Sequence, residues 1–309
     1  MSRLVLKRLA VGVFVLWGAV TLMFVLLRLA PGDPATLMLG TDASPEQIAQ
    51  MRTRLGLDQS MLQQYVNYLG QVVRLDFGDS FRFRAPAMEV VTGRLGATIM
   101  LTAAATVIAV VVGMALGIAA GRRPESRMDR AVSALAITFQ AMPTFWVGIM
   151  LVLLFTVRLG VLPSSGTGTW RHLVLPAVSL SMPFIAIVAR IARASISESM
   201  QSGYIQTARS KGLTEGQTVR GHALRNSMAP VVTIVGLQIG ALLGGAVVVE
   251  NVFAWPGLGS LIVQAVANRD YAVVQAAALL IAGFVVVLNL LTDISYGLID
   301  PRIRVGGRS

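Results

Sequence analysis

Long windows free of Asp, Glu, Lys and Arg recur along the chain at 9–27, 95–121, 131–157, 172–189, 226–249 and 271–292. A hydrocarbon core about 30 Å thick takes roughly 20 helical residues at 1.5 Å rise each, so every window predicts a transmembrane helix. A seventh window, 251–268, is also uncharged, but Trp255-Pro256-Gly257-Leu258-Gly259 leaves only 261–267 continuously apolar. That is too short to cross, and it predicts a loop or re-entrant piece buried against protein. The pattern gives an all-α membrane protein with six transmembrane helices. Pro143, Pro176 and Pro183 interrupt spans three and four, either as ordinary kinks or as broken helices beside a pathway.

The windows divide the chain into a transmembrane helix at 1–30, an outer helical segment at 31–94, a core at 95–300 and a tail at 301–309. In the outer segment, Ser44-Pro45-Glu46-Gln47 reads as a helix start, with Ser as N-cap, Pro in the first turn and Gln three after the cap. From Asp58 on, Leu62, Tyr65, Val66, Leu69, Val72 and Val73 recur at helical spacing. Their stripe is expected on the membrane surface or capping the bundle. The N-terminal run is longer than a signal-peptide core and ends without a small-residue cleavage pattern, so it is read as a retained span.

Composition agrees: of 309 residues 55% are hydrophobic and only 13% charged, about half the charged share of a soluble domain. A net charge of +11 raises nucleic acid as a partner. The basic residues instead follow topology. With the N-terminus inside, inner segments hold Arg3, Lys7, Arg8, Arg122, Arg123, Arg127, Arg130, Arg190, Arg193, Arg209, Lys211, Arg220, Arg225, Arg302, Arg304 and Arg308. The short outer loops hold Arg158, Arg171 and Arg269. This positive-inside bias places both termini in the cytoplasm and accounts for the basicity with a lipid bilayer and no nucleic acid.

Chemistry is narrowed by absences. Zero Cys and two His, His172 and His222, leave no thiol nucleophile and speak against a catalytic metal site. Neither Lys7 nor Lys211 follows Gly, so no phosphate-binding G-x-x-x-x-G-K exists, and ATP, if used, is bound by another chain. No acid lies mid-membrane as a proton-coupled carrier requires; Glu250 and Asp293 fall at the ends of spans five and six. Gly113, Gly117 and Gly121, and again Gly236, Gly240 and Gly244, recur every four residues, an internal helix-packing face or a sliding or subunit-contact surface. Pro143 and Glu250 are the candidate pathway or gate positions.

The loop at 195–227 is too long for a simple connection. Residues 199–211 favour helix, Gly212 offers a left-handed C-cap, and 214–224 resume helix. It contains Tyr204-Ile205-Gln206-Thr207-Ala208-Arg209-Ser210-Lys211-Gly212, then His222-Ala223-Leu224-Arg225-Asn226. This is either a basic anchoring loop or a rigid knuckle for a cytoplasmic partner.

The loop resembles the coupling loop of ABC-importer permeases of the dipeptide/oligopeptide type. The resemblance runs along nearly the whole chain. It includes Arg28-Leu29-Ala30-Pro31-Gly32-Asp33-Pro34, Met142-Pro143-Thr144-Phe145-Trp146, Leu162-Pro163-Ser164-Ser165-Gly166, and Glu250-Asn251-Val252-Phe253 with Trp255-Pro256-Gly257-Leu258-Gly259. Arg269-Asp270-Tyr271 and Asp300-Pro301-Arg302 complete it. Gln206 stands where the broader loop motif has an acid, Thr207 where it has Ala, and Ser210 where the subgroup more often has Ala. The resemblance implies a type I ABC-importer permease fold in a bacterial or archaeal cytoplasmic membrane, with no enzymatic activity and no cofactor of its own. It further implies a second permease, two ATPases using ATP and Mg, and an outer solute-binding protein. By the same resemblance Tyr204, Thr207, Ala208, Arg209, Lys211, Gly212, His222, Arg225 and Asn226 form the ATPase-coupling loop. The cargo it implies is a short peptide, with nickel chelates, glutathione or oligosaccharides as alternatives. An independent channel, a carrier and a membrane enzyme are the rival classes.

Overall fold

The structure, a computed structural model, describes residues 2–29, 34–39, 43–54 and 56–299. The expected tail at 301–309 and the Asp300-Pro301-Arg302 close lie outside them. The elements in order are α1 (Ser2–Leu29), α2 (Pro34–Leu39), α3 (Pro45–Arg54), α4 (Met61–Arg74), β1 (Asp79–Ser80), β2 (Ala85–Pro86), α5 (Ala87–Gly121), α6 (Arg127–Ala141) and α7 (Thr144–Leu151). α7 continues as a π-helical stretch, Val152–Arg158. Then come α8 (Trp170–Met200), α9 (Gly203–Ser210), α10 (Glu215–Thr218) with a π turn at Val219–Ala223, α11 (Leu224–Val252), α12 (Leu258–Ala267) and α13 (Tyr271–Ile299).

Five stretches are long and apolar enough to cross a membrane: Arg8–Leu26, Ala87–Gly121, Trp170–Met200, Ser227–Val252 and Tyr271–Thr292. The sixth exists only as a bent pair, in which Arg127–Ala141 and Thr144–Arg158 meet at 102°. The span expected over 131–157 is thus a broken pair of helices, one of the two readings that Pro143 left open. Pro143 supplies no N–H, and its ring drives Met142 out of the helical region, to φ −81° and ψ 126°. Pro176 and Pro183 behave differently from expectation, since both lie inside a continuous α8. That helix is the most enclosed of the five, with 61% of its most apolar 18-residue stretch buried against 17–28% for the other four. α6, α7 and α11 all pack on it, and neighbouring helices are what make an interior proline tolerable.

The window 251–268 is not wholly irregular. Its last part forms α12, ten residues or about 15 Å long, still too short to span. The loop at 195–227 also departs from expectation. The helix expected over 199–211 is split at Gln201 and Ser202, and the one expected over 214–224 runs through a π turn into α11.

The chain divides into two compact units, Met1–Val5 with Ala97–Ser260 and Val287–Ser309, and Leu6–Gly96 with Leu261–Val286. The first has a core of Leu101, Ala105, Leu175, Leu180, Phe184, Val188, Val249, Phe253 and Trp255. In the second, Ser44 and Gln47 cap α3 reciprocally, at 2.9 and 3.3 Å. Ser60 and Gln63 form the same capping box on α4. Tyr65 and Tyr68 of α4 set their rings 5.2 and 5.6 Å from Phe24 of α1, and the Thr21 and Tyr65 hydroxyls share a 2.6 Å hydrogen bond. Leu62, Val66 and Val73 of the same helix are exposed. The segment expected to be helical over 31–94 is not all helix: β1 and β2 form a two-residue antiparallel ladder, Asp79 opposite Pro86 and Ser80 opposite Ala85.

Candidate functional site

The loop between α8 and α11 is a folded knuckle rather than a tether. α8 ends where the Gln201 N–H turns back to Glu198 O and Ser199 O, and the Ser202 hydroxyl donates to Ser199 O. α9 then buries Ile205 (0% exposed) and Ala208, three residues apart on one face. Ile205 joins Ile196 and Met200 of α8 and Val219 and Ala223 beyond α10 in a small apolar cluster of their own. This cluster fixes α9 against its flanking helices. Tyr204, Thr207 and Lys211 are exposed, so helical spacing turns the polar half of the motif outward. Ala208, also part of the expected coupling loop, belongs to the buried half. The side chains of Arg209, His222, Arg225 and Asn226 lie outside the described residues.

Gly212 ends α9 at φ +81°, and the Leu213 N–H reaches back to Ala208 O at 3.3 Å. This is the six-to-one closure that a left-handed residue after the helix permits, and glycine takes it without strain. Thr214 opens α10 with a capping box to Gln217, 2.9 Å from the Thr214 N–H to Gln217 Oε1. The reversal between α9 and α10 is thus held by a glycine on one side and a cap on the other.

Glu250 is fully buried at the end of α11. Thr98 of α5 donates its hydroxyl to Glu250 Oε1 at 2.6 Å, and the Ser260 N–H donates to Oε2 at 3.0 Å. Thr98 Oγ1 in turn accepts the Leu258 N–H at 2.8 Å. The first N–H groups of α12 are therefore capped from two other helices, and the carboxylate lies at the positive end of the α12 dipole. Trp255 closes the arrangement, its indole N–H donating to Ala97 O at 2.9 Å. The glycines here provide room. A Cβ at Gly257 would run into the Glu250 carboxylate, and one at Gly259 would lie 2.5 Å from Val247 Cα. Glu250, a candidate gate in the sequence, is here a sealed tie between α5, α11 and α12. Pro143, the other candidate, caps α7, and the Ser179 hydroxyl of α8 donates to Thr144 O at 2.9 Å beside it.

The two glycine stripes differ. Cβ atoms at Gly113, Gly117 and Gly121 would fall 2.7 Å from Val188 Cβ, 2.5 Å from Ala192 Cβ and 2.7 Å from Arg193 O. All three face α8 closely. In the second stripe Gly236 lies against Thr292 of α13 and Gly240 is half-buried, but Gly244 has nothing within 4 Å of a Cβ position. Among the described residues, then, Gly244 packs against no helix, and its side of α11 is left open.

An ion pair not foreseen from the sequence joins α6 to α8. Arg193 donates from Nε to Asp129 Oδ1 and from Nη2 to Oδ2 at 2.7 Å. Asp129 is buried, and its Oδ2 also accepts the Glu125 N–H at 2.9 Å. Ser126-Arg127-Met128-Asp129 before an apolar run is a helix-start signature that marks this acid. Among the described residues no three His, Asp or Glu side chains gather to hold a metal ion.

Two family profiles match the chain: "Binding-protein-dependent transport system inner membrane component" over residues 113–305 and its N-terminal companion over residues 1–102. The dipeptide transport system permease protein DppB of Escherichia coli K12 is 38% identical, over 98% of this chain and 99% of that protein. The glutathione transport system permease protein GsiC of Salmonella choleraesuis is 42% identical over the same shares. Among solved structures, an inward-facing form of the MetNI methionine ABC transporter matches 69% of this chain and 97% of its own at TM-score 0.57 and 20% identity. An amino acid ABC transporter solved with histidines matches at TM-score 0.51 and 19% identity, over 69% of this chain and 94% of its own.

Proposed function

From the premise that this chain belongs to the binding-protein-dependent transport system inner membrane components, and so is a permease subunit of an ABC importer, we propose that its cargo is a short peptide. Its fold is that of the type I importer permeases, and its place is the inner membrane, which it crosses several times. The peptide reading draws support from two full-length relatives whose names assign them dipeptide and glutathione transport.

In this reading the chain pairs with a second permease, two ATPases using ATP and Mg, and an outer solute-binding protein, and both its termini face the cytoplasm. The observation that carries the mechanism is the knuckle. Tyr204, Thr207 and Lys211 turn outward from a helix whose other face is fixed by Ile205 and Ala208. Arg209, His222, Arg225 and Asn226 complete the coupling loop by their place in the motif. A rigid projection transmits displacement, whereas a tether absorbs it. ATP-driven closure of the ATPases moves α9, and through the Ile196 and Met200 contacts it moves α8, the span on which α6, α7 and α11 pack. That rocks the pathway between inward-open and outward-open states.

A tagged chain extracted from its native membrane in mild detergent tests the assembly. Recovery of P-loop ATPases and a second permease by mass spectrometry is the expected result. Recovery of this chain alone, active in vesicles without ATP, would mean a channel or carrier.

A further inference from the structure

The second unit contains a cavity of about 380 Å³, within the range of small-molecule sites. Its walls include Phe24 and Arg28 from the end of α1, Gln64 and Tyr68 of α4, Asp76 from the turn before β1 and Asp79 of β1. Two of these groups are incomplete. Arg28 Nε is shut off from solvent and has no acceptor, and Gln64 Oε1 is shut off and has no donor. The guanidinium lies over the Phe24 ring at 5.2 Å, a contact that satisfies its face but none of its N–H groups. The Gln64 amide does not flip to remedy its oxygen. Its Nε2 already donates to Leu57 O at 3.3 Å and to Gln59 O at 2.8 Å, which fixes the oxygen toward the unfilled side.

The acids of the cavity wall form no ion pair with Arg28 among the described contacts. Asp270 also lines the cavity, but it accepts the Ser80 hydroxyl on Oδ2 at 2.5 Å and the Val273 N–H on Oδ1 at 3.4 Å, where it caps α13. Asp76 takes the Gly78 N–H at 3.1 Å on one oxygen and keeps the other. A buried hydrogen-bonding group without a partner is costly, and more so when charged. What is missing is a single partner that accepts from a guanidinium and donates to an amide oxygen within a space of this size.

We propose that this cavity binds a small zwitterionic solute with a free carboxylate, an amino acid or a dipeptide. Arg28 holds its carboxylate, Gln64 accepts one of its N–H groups, and Asp76 and Asp79 balance its ammonium. The chemistry stands on the geometry of one unit. That the site faces outward, where an arriving solute meets it, rests on the orientation given under the proposed function.

Binding of radiolabelled L-alanyl-L-alanine to the assembled transporter in nanodiscs, without the solute-binding protein, tests this. Wild type is expected to bind saturably, Arg28→Lys to stay within a few-fold, and Arg28→Gln to weaken binding at least about tenfold. The C-terminal amide of the probe should lose as much on the wild type as the Arg28→Gln variant loses with the free acid. Gln64→Leu, which keeps the helix and removes the acceptor, should weaken binding several-fold even if Arg28→Gln does not assemble. Equal affinity of wild type, Arg28→Gln and Gln64→Leu would overturn the assignment, as would equal affinity for acid and amide. ATP-driven uptake by the same wild-type preparation is read in parallel. Uptake without this binding would remove the cavity site and leave the importer reading intact.

Discussion

Replacing Gly212 isolates the coupling loop from the rest of the molecule. The residue holds φ at +81°, and nothing lies within 4 Å of the position a Cβ would take. A side chain there meets no neighbour, so its whole effect comes from the backbone. A left-handed conformation costs an L-residue about 1–2 kcal/mol, and a β-branched one about 2–3 kcal/mol. At about 1.4 kcal/mol per tenfold, Gly212→Val lowers the population of the closed α9–α10 reversal roughly 30- to 140-fold relative to a frayed one. Asn, which tolerates this region, should behave nearly as glycine. The assay is ATP-driven peptide uptake in proteoliposomes, with ATPase rate and assembly measured on the same samples. Gly212→Asn is expected within about twofold of wild type, Gly212→Ala a few-fold lower, and Gly212→Val more than tenfold lower with insertion and assembly unchanged. Normal uptake by Gly212→Val would refute the coupling role. Failure of that variant to insert would refute it equally, since the effect would then be on folding.

The remaining expectations concern packing and buried charge. Gly117→Val places a branched side chain where even Cβ is 2.5 Å from Ala192 Cβ, so the solubilised protein should lose about 1–3 kcal/mol or more and several degrees of Tm. Gly244→Val, with open space, should leave Tm almost unchanged. Glu250→Ala strips the Ser260 N–H and the Thr98 hydroxyl of their acceptor, a loss of about 2–5 kcal/mol read as reduced yield and melting temperature. Asp129→Asn should lower Tm by weakening the Arg193 pair, and the exchanged pair Asp129→Arg with Arg193→Asp should recover part of it. No recovery would assign the effect to the Glu125 N–H that Asp129 Oδ2 accepts instead.

The spans were legible because lipid imposes a length and a composition that charge-free windows display directly. What periodicity does not carry is direction. It marks 131–157 as continuous, and only Pro143 hints that the chain turns by 102° there. The same residue type misleads at Pro176 and Pro183, because tolerance of proline depends on the helices packed around α8. Spacing of four finds both glycine stripes, yet the neighbour that gives Gly117 its purpose and leaves Gly244 without one comes from distant sequence. In the knuckle, the left-handed turn at Gly212 was legible locally, whereas the break at Gln201 and Ser202 was not. Trp255-Pro256-Gly257-Leu258-Gly259 reads as a breaker by composition alone. Its glycines make room for the Glu250 carboxylate and the α11 backbone, and the helix that follows is capped by side chains from two other elements. Arg28 shows the same limit: its sequence neighbours carry no sign of the cavity, and only the structure shows that its Nε is buried without an acceptor.

Reconstitution tests the central claim most directly. The chain, its co-purified permease and ATPases, and the solute-binding protein are placed in proteoliposomes, and accumulation of a labelled dipeptide is followed with and without ATP. The account requires uptake that depends on ATP, on the binding protein and on the presence of this chain. Uptake by this chain alone without ATP, or undiminished uptake by vesicles lacking it, would contradict the account.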